Sequence, residues 1–416
     1  MESWAQISSL EITSEESLSE LWALLSNPSR VAAARNLQGD EAQTFIDFLD
    51  KVLGQPRLDD KLRHRSLLLL SKICKAHTIV PSSYVLQEEL LHVGRLCRHG
   101  GFAEVSNGEY MGCPVAIKYL KTNEEDANRT FKRLCREIIG WKHLSHPNIL
   151  PLLGVSVSMD PYCFRILTRW MINGNITEYA RSNPEVNRLQ LLLEVASGVA
   201  YLHELGIVHG DLKGANILVD DDGIARLADF GLMTILIENS TFPLSATAVS
   251  SVGTVCWMSP ELLIGEGSTP TRQSDCYALG MVVYEVLTGL RPFYHLGTYA
   301  VVIAVQKGER PKRPPNARSL GFSDVLWGLT VRCWSKSSTA RPTAQALLDC
   351  LQDASHIWVP PPEYPIPAVG AGLQITYDNE WNTVTGTRAR SLFVLVVGML
   401  CVLVFPFARA NRTPVI

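Results

Sequence analysis

With 416 residues, 46% of them apolar and 19% charged, the chain has material for two to three domains of about 150 residues each and is too apolar for wholesale disorder. Its 38 Lys and Arg against 41 Asp and Glu leave a formal charge of -3, so no basic footprint marks it for nucleic acid, and any membrane attachment has to be hydrophobic. The 10 cysteines are scattered from Cys74 to Cys401 without a CxxC pair, and the N-terminal MESWAQISSLEITSEES lacks an apolar signal core; this reads as a reduced, cytosolic chain with neither disulfide framework nor zinc site.

Residues 1–88 form an all-helical leader by pattern. Apolar residues recur at helical spacing at Leu18, Leu21, Trp22 and Leu25, then at Phe45, Phe48, Leu49, Val52 and Leu53, then from Leu67 to Leu70 with Ile73. Thr13 with Glu16 has the form of a capping box, Pro28 follows the first helix, Gly39 precedes an N-cap at Asp40, and Gly54 with Pro56 separates the next pair. No polar constellation in the leader suggests chemistry, so a packing bundle or a dock for a protein partner is expected. From residue 90 to 355 the pattern changes to β-type runs, VAIKYL at Val115–Leu120 and FRILTRW at Phe164–Trp170, followed by longer helical stretches. Residues 356–391 carry VPPPEYPIPAVGAGLQ, whose prolines and glycines predict a linker. Residues 392–408, LFVLVVGMLCVLVFPFA, hold no charge and lie between Arg388 and Arg390 on one side and Arg409 and Arg412 on the other. A helix of that length spans roughly 25 Å, near the short limit for a bilayer, which predicts a single C-terminal transmembrane helix anchoring a cytosol-facing body; a helix buried on the globular part, leaving the protein cytoplasmic, is the competing expectation.

Four blocks in the middle of the chain describe a site for moving a phosphoryl group. The first is RHGGFAEV at Arg98–Val105 with VAIK ending in Lys118. A turn without side chains lets backbone N–H groups approach phosphate oxygens, and a lysine on the next strand neutralises them, though a GG turn alone is also an ordinary hairpin. Glu137, in the helix-patterned FKRLCREIIGWKHL, is the carboxylate a buried lysine needs to stay aimed. In IVHGDLKGANILV, Asp211 is placed to accept a substrate hydroxyl proton, Lys213 to sit against the transferred group and Asn216 to bind a metal ion. In LADFGL, Asp229 is the principal magnesium ligand, because hard cations take carboxylate oxygens.

The order and spacing of Lys118, Glu137, Asp211, Asn216 and Asp229 resemble a eukaryotic protein kinase of the tyrosine-kinase-like group, and among these the chain is most similar to the kinase-like proteins of mushroom-forming fungi. The resemblance implies a bilobal α+β kinase fold that uses ATP and Mg²⁺. It implies that Gly100, Val105, Ala116, Lys118, Glu137, the gatekeeper Thr168 and the hinge residue Met171 face the nucleotide. It further implies a substrate-docking turn at Gly253–Glu261, an aspartate, Asp275, that holds the catalytic loop, and a buried pair between Arg341 and Glu261. Lys213 and Thr254 resemble the serine/threonine pattern more than the tyrosine one, so a protein serine/threonine kinase tethered to a membrane is expected, with a membrane-tethered scaffold that transfers nothing as the alternative. Two departures stand out. Arg98 and Ala103 replace the first and third glycines of the family's GxGxxG turn, and Gly210 replaces the arginine of its HRD motif, which normally meets a phosphate on the activation segment.

Overall fold

The computed structural model describes residues 15–55, 58–87, 89, 91–99, 104–121, 125–159, 162–237, 240–243, 252–264, 269–356 and 358–361. Four helices open the chain: α1 (Glu15–Leu25), α2 (Pro28–Arg35), α3 (Gly39–Leu53) and α4 (Asp60–His77). Asn27 caps α2 by accepting from the backbone N–H groups of Ser29 and Arg30, with Pro28 at the first helical position, where its missing N–H costs nothing. Asp59 caps α4 by accepting from Leu62 N at 3.0 Å. Asp40, expected to be an N-cap, instead lies within the first turn of α3, where its charge still complements the helix dipole; the cap position is Gln38, which makes no side-chain cap bond. The expected box at Thr13 lies outside the described residues. Most of the periodic apolar residues close inward, with Leu21, Phe45, Leu49, Val52, Leu70 and Ile73 buried while Trp22 stays exposed, and this core runs without a break into that of the following lobe.

The next lobe is an antiparallel five-stranded sheet in the order β1-β2-β3-β5-β4. Its strands are β1 (Leu91–His99), β2 (Glu104–Tyr110), β3 (Cys113–Lys121), β4 (Leu152–Met159) and β5 (Tyr162–Arg169), and α5 (Ala127–Trp141) crosses over between β3 and β4. Pairing of Val105 with Lys118, Asn107 with Ala116 and Ala116 with Thr168 puts Val105, Ala116, Lys118 and Thr168 on one face, because residues opposed across antiparallel strands point the same way.

A helical lobe follows. It comprises α6 (Ile176–Ser182), α7 (Arg188–Glu204), α8 (Pro260–Ile264), α9 (Arg272–Thr288), α10 (Thr298–Gln306), α11 (Asp324–Cys333) and α12 (Ala344–Ser355). Two short hairpin partners, β7 (Ile217–Val219) and β8 (Ala225–Leu227), follow the catalytic-type loop, and β6 (Ile207–Val208), which precedes it, pairs with β9 (Thr234–Ile237), itself paired with β10 (Ser240–Pro243). Helix α9 is buried from Ser274 through Thr288, so it reads as apolar on all sides and forms the axis on which the loops converge. Beyond α12 the chain first returns to the lobe, with Trp358 over the Arg188 guanidinium at 4.7 Å. Among the described residues no helix is long and apolar enough to cross a membrane, and the segment 392–408 lies outside them.

Candidate active site

The site is assembled where the sheet face meets the loops of the helical lobe. Lys118 on β3 donates to Glu137 Oε1 on α5 at 2.5 Å and to Asp229 Oδ1 at 2.9 Å. Burial pulls the lysine pKa down, but the two carboxylates more than offset it and hold the ammonium above its ordinary value. Burial likewise opposes ionisation of Asp229, yet Lys118 beside it, and Lys213 and His209 farther off, keep it well below the usual carboxylate range. Both groups are therefore charged across the physiological range. Asp229 adopts φ of +61°, an unusual backbone for a residue with a side chain, and it keeps 43% of that side chain open while Glu137 is closed off. The second oxygen of Glu137 is buried without a hydrogen-bond partner.

Asp211 sits on the loop after β6. Its Oδ2 accepts from Lys213 Nζ at 2.8 Å and from Asn216 Nδ2 at 2.9 Å, and Asn216 Nδ2 also donates to the Asp211 carbonyl at 2.8 Å. Asp211 Oδ1 is left without a partner, an acceptor held ready at the floor of the cleft. Lys213 Nζ also donates to Thr254 Oγ1 at 2.9 Å, which ties the loop to the segment before α8. Asn216 spends its amide nitrogen on Asp211, so its Oδ1 and the partly open carboxylate of Asp229 are two hard oxygens available for a cation. No group of three or more His, Cys, Asp or Glu suited to a metal occurs among the described residues. A donor set of two oxygens fits Mg²⁺, which keeps its remaining positions for water and phosphate.

Phe230, Trp141 and Glu285, not singled out in sequence, hold this arrangement together with the expected Asp275 and Arg341–Glu261 pair. Phe230 is fully buried, with His209 at 5.1 Å and Trp141 at 5.2 Å between ring centroids, and Trp141 Nε1 donates to the Leu150 carbonyl at 2.6 Å. Asp275 accepts from the backbone N–H groups of His209 at 2.8 Å and Gly210 at 2.9 Å, and from His203 at 3.0 Å. Glu285 on α9 accepts from Gly214 N at 3.0 Å, Thr177 Oγ1 at 3.0 Å and Trp257 Nε1 at 2.8 Å, linking the catalytic-type loop to the docking turn; burial raises its pKa. Its signal in sequence is an acid in the largely apolar run that follows Asp275 on the same helix. Arg341 grips Glu261 through two bonds, NH1 to Oε1 at 2.6 Å and NH2 to Oε2 at 2.8 Å, the paired geometry expected of them.

Among the described residues, the expected ones fall into two ion clusters and one sheet face. Lys118, Glu137 and Asp229 form one ion cluster; Asp211, Lys213 and Asn216 form the second; Val105, Ala116 and Thr168 share the sheet face with Lys118; and buried Met171 follows β5, its carbonyl accepting from Gly174 N at 3.1 Å. Gly100 lies outside the described residues.

Residues 91–351 match the family described as protein tyrosine and serine/threonine kinase. The chain is 30% identical over 288 residues to the serine/threonine-protein kinase STY46 of Arabidopsis thaliana, covering 67% of this chain and 47% of that protein. It is 29% identical over 271 residues to the serine/threonine/tyrosine-protein kinase HT1 of the same organism (63% and 66%), and 31% identical over 271 residues to the probable serine/threonine-protein kinase drkA of Dictyostelium discoideum (63% and 39%). It thus spans about half or less of the length of STY46 and drkA. The match begins at the first residue of β1 and ends inside α12, enclosing the sheet, both ion clusters and the Arg341 pair while leaving the helical leader outside. By that match the chain belongs to the protein tyrosine and serine/threonine kinase family.

Proposed function

We propose that the protein is an ATP- and Mg²⁺-dependent serine/threonine protein kinase that transfers a phosphoryl group to a protein hydroxyl. One observation carries the reading. Lys118 is clamped between Glu137 and Asp229, while a third carboxylate, Asp211, keeps one oxygen unpartnered beside a lysine. Val105, Ala116, Thr168 and Met171 hold the base, Gly100 covers the phosphates, and Lys118 steadies them as a point charge. Asp229 and Asn216 Oδ1 hold Mg²⁺, which supplies charge neutralisation when bound. Asp211 Oδ1 orients the acceptor hydroxyl and takes its proton, and Lys213 screens the charge that develops on the migrating group. Little covalent work is asked of the protein; the site acts by positioning and electrostatics.

The preference for serine and threonine is supported by Lys213 bridging Asp211 and Thr254, and by relatives named as serine/threonine kinases. Within the family we place the chain in the tyrosine-kinase-like group, alongside the kinase-like proteins of mushroom-forming fungi. We further read residues 392–408 as a tail anchor that leaves the kinase unit facing the cytosol; release of the full-length chain into the supernatant on carbonate extraction ends that part of the reading.

The test of the activity is transfer of label from radiolabelled ATP to a generic protein acceptor. Asp211→Asn abolishes transfer yet keeps stabilisation by Mg-ATP, which amounts to about 2.7 kcal/mol at 100 times the dissociation constant. Transfer retained by that variant overturns the assignment of Asp211. Absence of both transfer and nucleotide stabilisation in the wild type favours a scaffold.

A further inference from the structure

The leader is joined to both lobes by one helix. Near its start, His64 of α4 hydrogen-bonds through Nε2 to the carbonyl oxygen of Leu205, the residue that ends α7 in the helical lobe. Eleven residues on, a rise of about 16 Å along the helix, α4 packs on α5, with Lys75 within electrostatic reach of Arg136 and Cys135. Helix α5 is the one that delivers Glu137 to Lys118.

The connector that leaves α4 fastens the far end. Tyr84 is fully buried, its hydroxyl 3.1 Å from Nε2 of His143, two residues past the end of α5. The same nitrogen lies 3.1 Å from Asp50 Oδ1 on α3, and Ser83 donates to Asp50 Oδ2 at 2.6 Å. Leu86 N donates to the Val155 carbonyl of β4 at 2.9 Å, and the Tyr84 carbonyl comes so near Gly154 that a Cβ there would lie 2.6 Å from it. The leader thus grips α5 along its length and at its end while anchored to the opposite lobe.

We propose that α4 is a positioning strut: fixed at His64 to the helical lobe and through Tyr84, His143 and Asp50 to the end of α5, it sets the angle at which Glu137 meets Lys118. A helix of this kind can swing its glutamate in or out, so something must hold it. Gly210 offers no side chain to an activation-segment phosphate, which leaves the strut, beside the contacts α5 makes with Phe164 and Met233, to hold it. His64 and Tyr84 are positioning residues; they touch neither ion cluster. The catalytic consequence rests on the kinase reading above, whereas the mechanical claim does not.

The experiment uses the full-length chain with His64→Ala, Tyr84→Phe and both changes together. It reads amide hydrogen exchange in peptides covering 127–141, with 272–288 as internal reference, alongside phosphoryl transfer. Each single change raises exchange in 127–141 about fivefold or more, leaves 272–288 unchanged, and lowers kcat/KM for ATP about tenfold with the KM for the protein acceptor unaltered. The two changes together do no more than the worse single one, because a strut released at one end no longer constrains the other. Sites this far apart that act independently would multiply their losses instead. Unchanged exchange in both single variants, or multiplied losses in the double, overturns the strut. A wild type that transfers no phosphoryl overturns the kinase reading instead, and the exchange measurement still decides the strut.

Discussion

At position 210 the backbone takes φ of +82°, and a Cβ there would lie 2.7 Å from the carbonyl oxygen of Leu232 and 3.2 Å from Pro270. The N–H of Gly210 and that of the preceding His209 are both donated to Asp275. The arginine of the family's HRD motif is thus excluded from this loop by its backbone as well as absent from its sequence. Restoring it by Gly210→Arg costs at least about 2 kcal/mol in stability, from the left-handed backbone and the contact with Leu232, and lowers transfer instead of raising it. Thermal unfolding of the variant checks the first claim and a radiolabel assay the second. Without that arginine a phosphate on the activation segment has no partner at this site, so Ser250→Ala with Ser251→Ala leaves most activity intact; a collapse in rate on the double change refutes this. Glycine matters for a different reason at 140, where a Cβ would run into the Met233 side chain just past Phe230. There α5 and the segment following Asp229 touch directly.

Secondary elements show which parts of the site could be read from residue order and which could not. Lys118, Asp211, Asn216 and Asp229 were legible because their chemistry resides in the side chain itself, and their spacing fixes the strand and loop that carry them. Glu285 and Trp141 were not, because their roles come from contacts across 71 and 9 residues respectively that only the folded chain brings about. The leader's helices were legible from period, since Phe45, Leu49 and Val52 repeat at helical spacing, but its target was not: a helical stripe specifies that it must be covered, not by what. At the interface between α4 and α5, Lys75 is a predictable weak point. Burial first, then Arg136 and Lys72, lower its pKa from 10.5 to about 8, while the Cys135 and Cys74 thiols act the other way. Below pH 8 the lysine is charged in both folded and unfolded states and the full penalty is present. Between pH 8 and 10.5 the unfolded chain binds more protons, so stability from this group rises with pH, and above 10.5 the penalty is gone. Lys75→Met therefore stabilises the protein by about 1–2 kcal/mol at pH 7, after discounting for partial exposure, and the gain shrinks to nothing by pH 10.5. The difference between variant and wild type reads this group together with its coupling to the Cys135 and Cys74 thiols, whose pKa values Lys75 itself lowers. Denaturant unfolding of the pair at pH 7 and pH 10.5 measures it, and a gain that persists at the higher pH would assign the effect to packing.

Across the whole molecule, the kinase unit is embraced from both ends of the sequence. The leader reaches back from the N-terminal side to α5 and α7, and the chain from the end of α12 onward closes on the helical lobe, where Asn187 Nδ2 donates to the Ser355 carbonyl at 2.9 Å. Trp358 then covers Arg188, a fully buried cation at the start of α7, and rests against Gly321, where a Cβ would lie 2.8 Å from the indole. Gly321, at φ of +100°, could not carry a side chain without pushing this ring away. Both extensions touch α7, but only the leader reaches α5, so their failures should separate. Trp358→Ala removes a half-buried indole and the face it presents to Arg188, costing about 2–3 kcal/mol, which lowers the unfolding midpoint by roughly 4–10 °C. Exchange in 127–141 and the rate of transfer per folded molecule stay at wild-type values, because α5 is held from the leader side by Tyr84 and His143. Calorimetry, exchange and a transfer assay on the one variant give all three quantities. If exchange in α5 rises together with the loss of stability, the two ends of the chain are coupled through α7, whose first residue meets Trp358 and whose end meets His64.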